Sequence, residues 1–528
     1  MKGERLFQIL GLVDPELIEE AVSVPAAPRR RTPWRAIAAA AACLVLVVGA
    51  GLGGRLLLAG GGSGSMAAGS DGPAAGGEAE ESVTGDGIAG GGGAATAFMS
   101  YAGPVFPLTT AEADTGLTAE RTVTWDFAMG AYEDGSPRQW GAQVTDDYVL
   151  TNPTDSDITV TALYPFAGTL AGLGTIGTTV TVDGAETPYA LHAGPYAGGF
   201  RDAGVDDGST WNLSPPDSFD DYADLLESGA YLAQALGDSP SLDTPVTVYR
   251  FSDFAAPHGE YRAATQAVTL SIDPEETTIL TYGLNGFSRD DDNAWQRYDY
   301  FVPDGVQAES DLKLLVVLGE DIGDYTLQGY ADGGCDEPID GVSCTVTREE
   351  TTLDAVLSEL CRAELANQRQ TSQWPGLADL SLSLYQRAVT EAVLSSGALA
   401  DTPADRYIDG RLDDFLWDVL VQERVLYLSF PVTVPAGGSV TVSASLWKAP
   451  SYDFGCSGSE NVGLQGYDLA TALGSNLVFT SQTAALANTE NIEIVRQNLG
   501  FDLENGVTEV TLDPAEPHYY LEIRPLER

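Results

Sequence analysis

Nineteen consecutive residues, Ala36–Gly54 (AIAAAAACLVLVVGAGLGG), carry no charge and are almost all Ala, Leu, Val, Ile and Gly. At 1.5 Å per residue a helix of that length reaches about 28 Å, close to the ~30 Å hydrocarbon core of a bilayer. The sequence therefore predicts a transmembrane helix over residues 36–58, with Arg55 reaching out to the interface. Arg29, Arg30, Arg31 and Arg35 flank the run on one side, and Trp34 stands where an interfacial aromatic belongs. These five residues are the expected membrane-interface anchors. Positive charge on that flank places the N-terminus in the cytoplasm and everything beyond the span outside the cell. A cleaved signal peptide has a shorter leader and an apolar core of about 7–15 residues. A lipid anchor at Cys43 would need its apolar run ahead of the cysteine, whereas LVLVV follows it.

Charge divides the chain at the same place. Residues 1–35 hold six basic and five acidic groups, while residues 56–528 hold 19 basic and 72 acidic ones. The net charge of the whole chain is −51, and only Lys2, Lys313 and Lys448 are lysines. A surface that acidic repels a phosphate backbone, so nucleic acid is excluded as a partner. The integral membrane contact and an unknown extracellular ligand remain as expected partners.

Residues 59–97 are Gly-, Ala- and Ser-rich and nearly free of large apolar side chains. Such a composition cannot bury enough surface to fold. As a flexible stalk of about 40 residues it would reach roughly 35 Å.

From residue 98 the periodicity turns to two. In ITVTALY, Ile158, Val160, Ala162 and Tyr164 fall on one face, and Thr159 and Thr161 on the other. TTVTVDGAETPY reads as a hairpin, because Asp183-Gly184 supplies the positive φ of a two-residue turn. One helix is expected over SFDDYADLLESGAYLAQALG, capped by Asp217. Residues 351–424 read as helical, opening on a Thr351/Asp354 capping box. Alternation then resumes. The expected organisation is a cytoplasmic segment with a short helix pair (1–35), the span (36–58), the stalk (59–97), a first β-rich extracellular region (98–350), a helical insert (351–424) and a second β-rich region (425–528). The fold class is α+β: a mostly β, antiparallel, sandwich-like ectodomain with an inserted helical region, plus one transmembrane helix.

Motifs with chemical meaning are few. GLGTIG (Gly172, Gly174, Gly177) fits a dinucleotide fingerprint, but a strand-like segment follows it where a helix is needed, so a glycine-rich loop is expected. SLWK (Ser445, Lys448) fits the Ser-x-x-Lys of acyl enzymes, but lies in an alternating strand, where residues three apart face opposite sides. His192, His258 and His518 are far apart in sequence. The acidic runs at Asp202/Asp206/Asp207, Asp290–Asp292 and Asp332/Asp336/Asp340 lack the spaced Ca²⁺-loop pattern with its distal Glu. Solvated acidic loops are the expected reading and a Ca²⁺ site the alternative to them; no other cofactor is assigned and no catalytic residue identified. Trp140, Trp211, Trp295 and YDYFVPD offer aromatic rings for a sugar platform or for a core. Cys335 and Cys344 are spaced to close a small disulfide loop, and Cys361 falls on a helical apolar stripe.

The N-terminal ERLFQILGLVDPELIEEA places Leu6, Phe7, Leu10, Leu17 and Ile18 on an apolar side, with Asp14-Pro15 starting a second turn. Four acidic groups after residue 13 oppose an anionic lipid surface. A helix pair so small cannot cover its own apolar face. These five residues are therefore expected to dock on a cytoplasmic partner. LFQILGLVDPELIEEA, the arginine run and the Ala-rich span together resemble the start of uncharacterised single-pass cell-surface proteins of Gram-positive bacteria. GSENVGLQGYDLATALGSNLVFTSQTAAL is similar to the same group. The layout also resembles membrane-bound anti-sigma factors, which implies a transcription regulator as the cytoplasmic partner. The expected function is extracellular binding or sensing with a signal passed inward to that regulator; the alternatives are a surface hydrolase acting on wall polymer or glycan and a structural adhesin.

Overall fold

Period-two alternation builds most of the chain from Tyr101 onward. The structure, a computed structural model, describes residues 101–526 apart from 133–134, 139, 196–198, 202–211, 215, 217, 258–263, 291, 293, 303–311, 372–376, 378–379, 401–410, 454–460 and 462. The segment 1–35 with its docking residues and interface anchors, the span 36–58 and the stalk 59–97 lie outside the described residues. Among the described residues no helix is long and apolar enough to cross a membrane. They form a mostly β structure with several antiparallel sheets and six helices.

The long strands of the first part are β1 (Thr118–Asp126), β2 (Ala142–Thr151), β3 (Ile158–Gly168) and the short β4 (Ala190–Ala193), with helix α1 (Leu173–Ile176) between the last two. Val160, Ala162 and Tyr164 of β3 are buried and Thr159 is exposed, as their alternation requires. The GLGTIG segment forms α1 and the turn after it, and a strand, Thr179–Val182, follows. That strand pairs with Ala185–Glu186 across Asp183-Gly184, whose φ angles are 49° and 74°.

Next come α2 (Phe219–Glu227) and α3 (Ala230–Leu236) in place of the single expected helix. Gly229, at φ 70°, separates them, a conformation that glycine adopts without a Cβ clash. Ser218 caps α2 by accepting from Asp221 N, so the cap lies one residue beyond Asp217.

The middle of the chain contributes β5 (Pro245–Ala255), β6 (Ala264–Ser271), β7 (Thr277–Tyr282), β8 (Gly286–Arg289), β9 (Trp295–Val302), β10 (Lys313–Gly319), β11 (Tyr325–Tyr330) and β12 (Ser343–Thr352). They form two sheets, β7-β10-β5-β12 and β8-β9-β6-β11, the second extended by Pro338–Ile339. Phe251, Val268, Leu270, Tyr298, Tyr300 and Val317 pack between these sheets. The other face of the first sheet, with Val248, Leu280, Leu314 and Val316, joins the main core beneath the helices.

Helices α4 (Leu353–Thr371), α5 (Leu382–Ser395) and α6 (Leu412–Val421) follow. Ala355 N donates to Thr352 Oγ1 at the start of α4, one residue later than the expected Thr351 cap. Gly397, at φ 78°, lies just past the end of α5. Cys361 of α4 is a buried free thiol in the main core.

The chain closes with β13 (Arg424–Val434), β14 (Ser439–Lys448), β15 (Gln465–Ala470), β16 (Val478–Ala487), β17 (Ile492–Gln497) and β18 (His518–Pro525). β15, β17 and β18 share a sheet with Tyr452–Asp453, while β13, β14 and β16 join strands of the first part. β13 pairs antiparallel with β3 along its whole length, from Arg424↔Gly168 to Val434↔Ile158. β14 pairs with β2, and β16 runs parallel to β1. The boundaries at 350/351 and 424/425 thus separate runs of one element type, while the sheets join strands from either side of them.

Candidate functional site

Tyr101, the first described residue, is fixed to the body by several bonds. Its hydroxyl donates to Asp468 Oδ2 at 2.5 Å, and Ala102 N donates to Ser451 O at 2.7 Å. Lys448 Nζ donates to Ala102 O at 2.8 Å and to Ala449 O at 3.1 Å. Lys448 therefore holds backbone, while Ser445 bonds Gln143 Nε2 across the sheet at 2.7 Å. Burial lowers the Lys448 pKa to about 8 against the pull of Glu423 and Asp468. Glu423 is raised to about 7 by burial, with Lys448 opposing. His518 Nε2 lies 3.0 Å from Asp468 Oδ1, and its ring stacks on Phe219 at 4.0 Å.

His192 and Ser429 form a second polar pair, Nε2 to Oγ 2.8 Å. They lie on the adjacent strands β4 and β13, on the diagonal of a register that pairs Tyr427 with His192. Burial, and then the nearby Arg387, lower the His192 pKa. A neutral imidazole beside a hydroxyl is a base next to a nucleophile. His258 lies outside the described residues. None of the three histidines was joined to a partner by local sequence. Pairing across strands is what brings His192 to Ser429.

Strand β9 carries the third arrangement. Its sequence, WQRYDYFV, alternates two sets of side chains. Tyr298, Tyr300 and Val302 enter the core between the two middle sheets. Trp295, Arg297, Asp299 and Phe301 therefore share the outer face. Trp295 is 37% and Phe301 44% exposed. Arg297 donates to Ser288 Oγ at 3.1 Å, and its Nε is 3.8 Å from Asp299 Oδ2. Neighbouring positions on this face are small. Gly286 and Ala267 flank Asp299, while Ser288 and Thr269 flank Arg297. A Cβ at Gly286 would lie 2.1 Å from Asp299 Oδ1, so the carboxylate occupies the space that a side chain there would fill. Burial raises the Asp299 pKa, opposed by Arg297 and by a hydrogen bond from Cys335.

That bond also explains the cysteines. Cys335, Cys344 and Cys361 are all free thiols. Cys335 faces Asp299, and Cys344 faces Tyr300. Adjacent strand residues point to opposite faces, so a sheet lies between the two thiols and the expected Cys335–Cys344 bridge is not formed. Burial pushes the Cys335 thiol up to about 11, with Asp299 adding to the rise.

Of the other expected platform residues, Trp140 is 42% exposed, and its carbonyl accepts from Trp447 Nε1 at 3.0 Å. Arg138 stacks over the Trp447 ring at 4.4 Å and the Tyr132 ring at 5.3 Å. Trp211 lies outside the described residues, as do Asp202, Asp206, Asp207 and Asp291 of the acidic runs. Among the described residues no group of three or more His, Cys, Asp or Glu side chains is placed to hold a metal. No protein-family model matches the chain, and no curated protein matches it either.

Proposed function

We propose that the chain is a single-pass cell-surface protein whose acidic, sandwich-like ectodomain binds or senses a ligand outside the cell. Its cytoplasmic segment passes the signal to a transcription regulator, as the resemblance to membrane-bound anti-sigma factors implies. The observation that carries this reading is the abrupt charge partition around one uncharged run. A nearly neutral, arginine-bearing head precedes residues 36–58, and a body with 72 acidic groups follows.

Reporter fusions after residues 22 and 528 test the topology. A cytoplasm-active reporter is expected to work only at the first site and an export-dependent one only at the second. The reverse pattern overturns the orientation. Deletion of residues 1–22 is expected to change the transcription profile, and an unchanged profile removes the signalling half.

The pairing of His192 with Ser429 favours a second reading, a surface hydrolase acting on wall polymer or glycan. A fluorophosphonate probe separates the two. Labelling that Ser429→Ala abolishes supports the hydrolase, and a protein left unlabelled supports the binding reading.

A further inference from the structure

We propose that β12 is a pairing edge for a second copy of this chain, joined antiparallel about a two-fold axis at Glu349. The inference goes beyond ligand binding and does not depend on it. β12 ends the sheet β7-β10-β5-β12, and only its β5 side is paired, from Pro245↔Thr352 to Ala255↔Ser343. At ten residues it is the longest edge strand among the described residues. Ser343, Thr345, Thr347, Arg348, Glu349 and Glu350 are exposed, so side chains on both faces of the edge meet water. Sheets commonly guard such an edge with proline, lysine, a bulge or short length. β12 holds no proline or lysine, and the irregularity of its ladder falls on β5, between Ser252 and Ala255.

The charges of β12 fit their own reverse, and this selects the occupant. An antiparallel pair centred on Glu349 sets Arg348 opposite Glu350 of the second copy, twice, with Thr347 opposite Thr351 and Val346 opposite Thr352. Each opposed residue shares a face with its partner, as a continued sheet requires. Arg348 already bonds Glu350 of its own strand at 2.9 Å, so the four side chains alternate in sign around a square. Opposite charges facing across a ladder stabilise it. Glu349 meets its own copy on the axis, where each carboxylate is held by its own Arg250 at 3.2 Å. Centring the pair one residue earlier or later opposes Arg348 or Glu350 to itself and loses both opposite pairs. A ladder of seven residues covers less surface than a standing dimer needs, so the pairing is concentration-dependent.

The test is disulfide trapping of the full chain in mild detergent, under a mild oxidant and at rising protein concentration. Opposed Cβ atoms in a ladder lie about 4.5–5.5 Å apart, close to the span of a disulfide. Glu349→Cys is expected to give a reducible dimer at least fivefold above the parent chain, whose own thiols set the background. Thr345→Cys, off the axis, and Thr122→Cys, on β1, are expected to stay at that background. Adding Arg348→Glu to the Glu349→Cys chain is expected to cut the dimer at least fivefold while the melt stays cooperative. Arg348→Glu together with Glu350→Arg is expected to restore it. A Glu349→Cys chain that stays monomeric at every concentration, a dimer trapped equally well at Thr345→Cys, one that Arg348→Glu leaves undiminished, or one that the double exchange does not restore overturns the proposal.

Discussion

Arg121 and Asp146 are both removed from water, with 0% side-chain exposure. The guanidinium meets the carboxylate in a fork, Nε to Oδ1 2.9 Å and Nη2 to Oδ2 2.8 Å. Its remaining donors reach Ala470 O and Phe106 O. Tyr148 OH donates to Asp146 Oδ2 and accepts from Leu108 N. One buried pair thus joins β1, β2, the end of β15 and the incoming segment 106–108. Removing one partner leaves the other charge buried and uncompensated, so Asp146→Ala is expected to cost about 3–5 kcal/mol by denaturant titration. Burial also raises three carboxylates: Asp413 and Asp418 to about 6, and Glu423 to about 7. Between pH 4 and those values the folded chain binds protons that the unfolded chain does not. Stability is therefore expected to rise as pH falls from 7.5 to 5, seen as a higher denaturant midpoint, and Asp418→Asn is expected to flatten that rise. Lys448 acts at the other end. With its pKa lowered to about 8, it adds stability as pH climbs from 8 toward the ordinary lysine value near 10.4. Lys313 and Lys448 are both buried, so a mild amine reagent is expected to modify neither until the protein is unfolded, as peptide mass mapping would show.

At the scale of elements, β9 shows what the sequence makes legible and where it stops. The alternation in WQRYDYFV identifies a strand and its two faces. It does not say which face is inside, because aromatic rings stand on both. That choice is made by the β7-β10-β5-β12 sheet, whose Leu315 and Val317 meet Tyr298 and Tyr300 across the core. The hairpin at Asp183-Gly184 and the helix end at Gly397 were readable because positive φ is a local demand. The cap at Ser218 and the break at Gly229 depend on one-residue differences that several side chains satisfy equally well in sequence. The cysteine pair was misread for a longer-range reason: nine residues of spacing allow a loop, but they do not reveal the strand that passes between the thiols. Seating of Asp299 on Gly286 makes a further element-level test. Gly286→Ala is expected to force the buried Asp299 carboxylate aside and to cost about 1–3 kcal/mol by denaturant titration.

Over the whole molecule, element type and sheet membership follow different boundaries. β1 and β16 are separated by more than three hundred residues and yet form a parallel ladder from Thr118↔Val478 to Asp126↔Ala487. No local pattern records such a partner, because alternation marks a strand and not its neighbour. The strands after the helices occupy central places. β13 lies between β3 and β4, and β14 lies between β2 and Thr179–Val182. Cutting the chain at residue 350 would therefore strip β1, β2 and β3 of backbone partners and expose Val160, Ala162 and Tyr164 on an open sheet. Unpaired edges beside apolar faces aggregate. Residues 98–350 expressed alone are expected to be insoluble or to melt without cooperativity. Co-expression with residues 351–528 is expected to return a soluble one-to-one complex with a cooperative melt, because the missing strands can then add to their sheets. A soluble, cooperatively melting 98–350 fragment would show instead that the first β-rich region closes its own core, and that the long ladders to β13, β14 and β16 are dispensable to it.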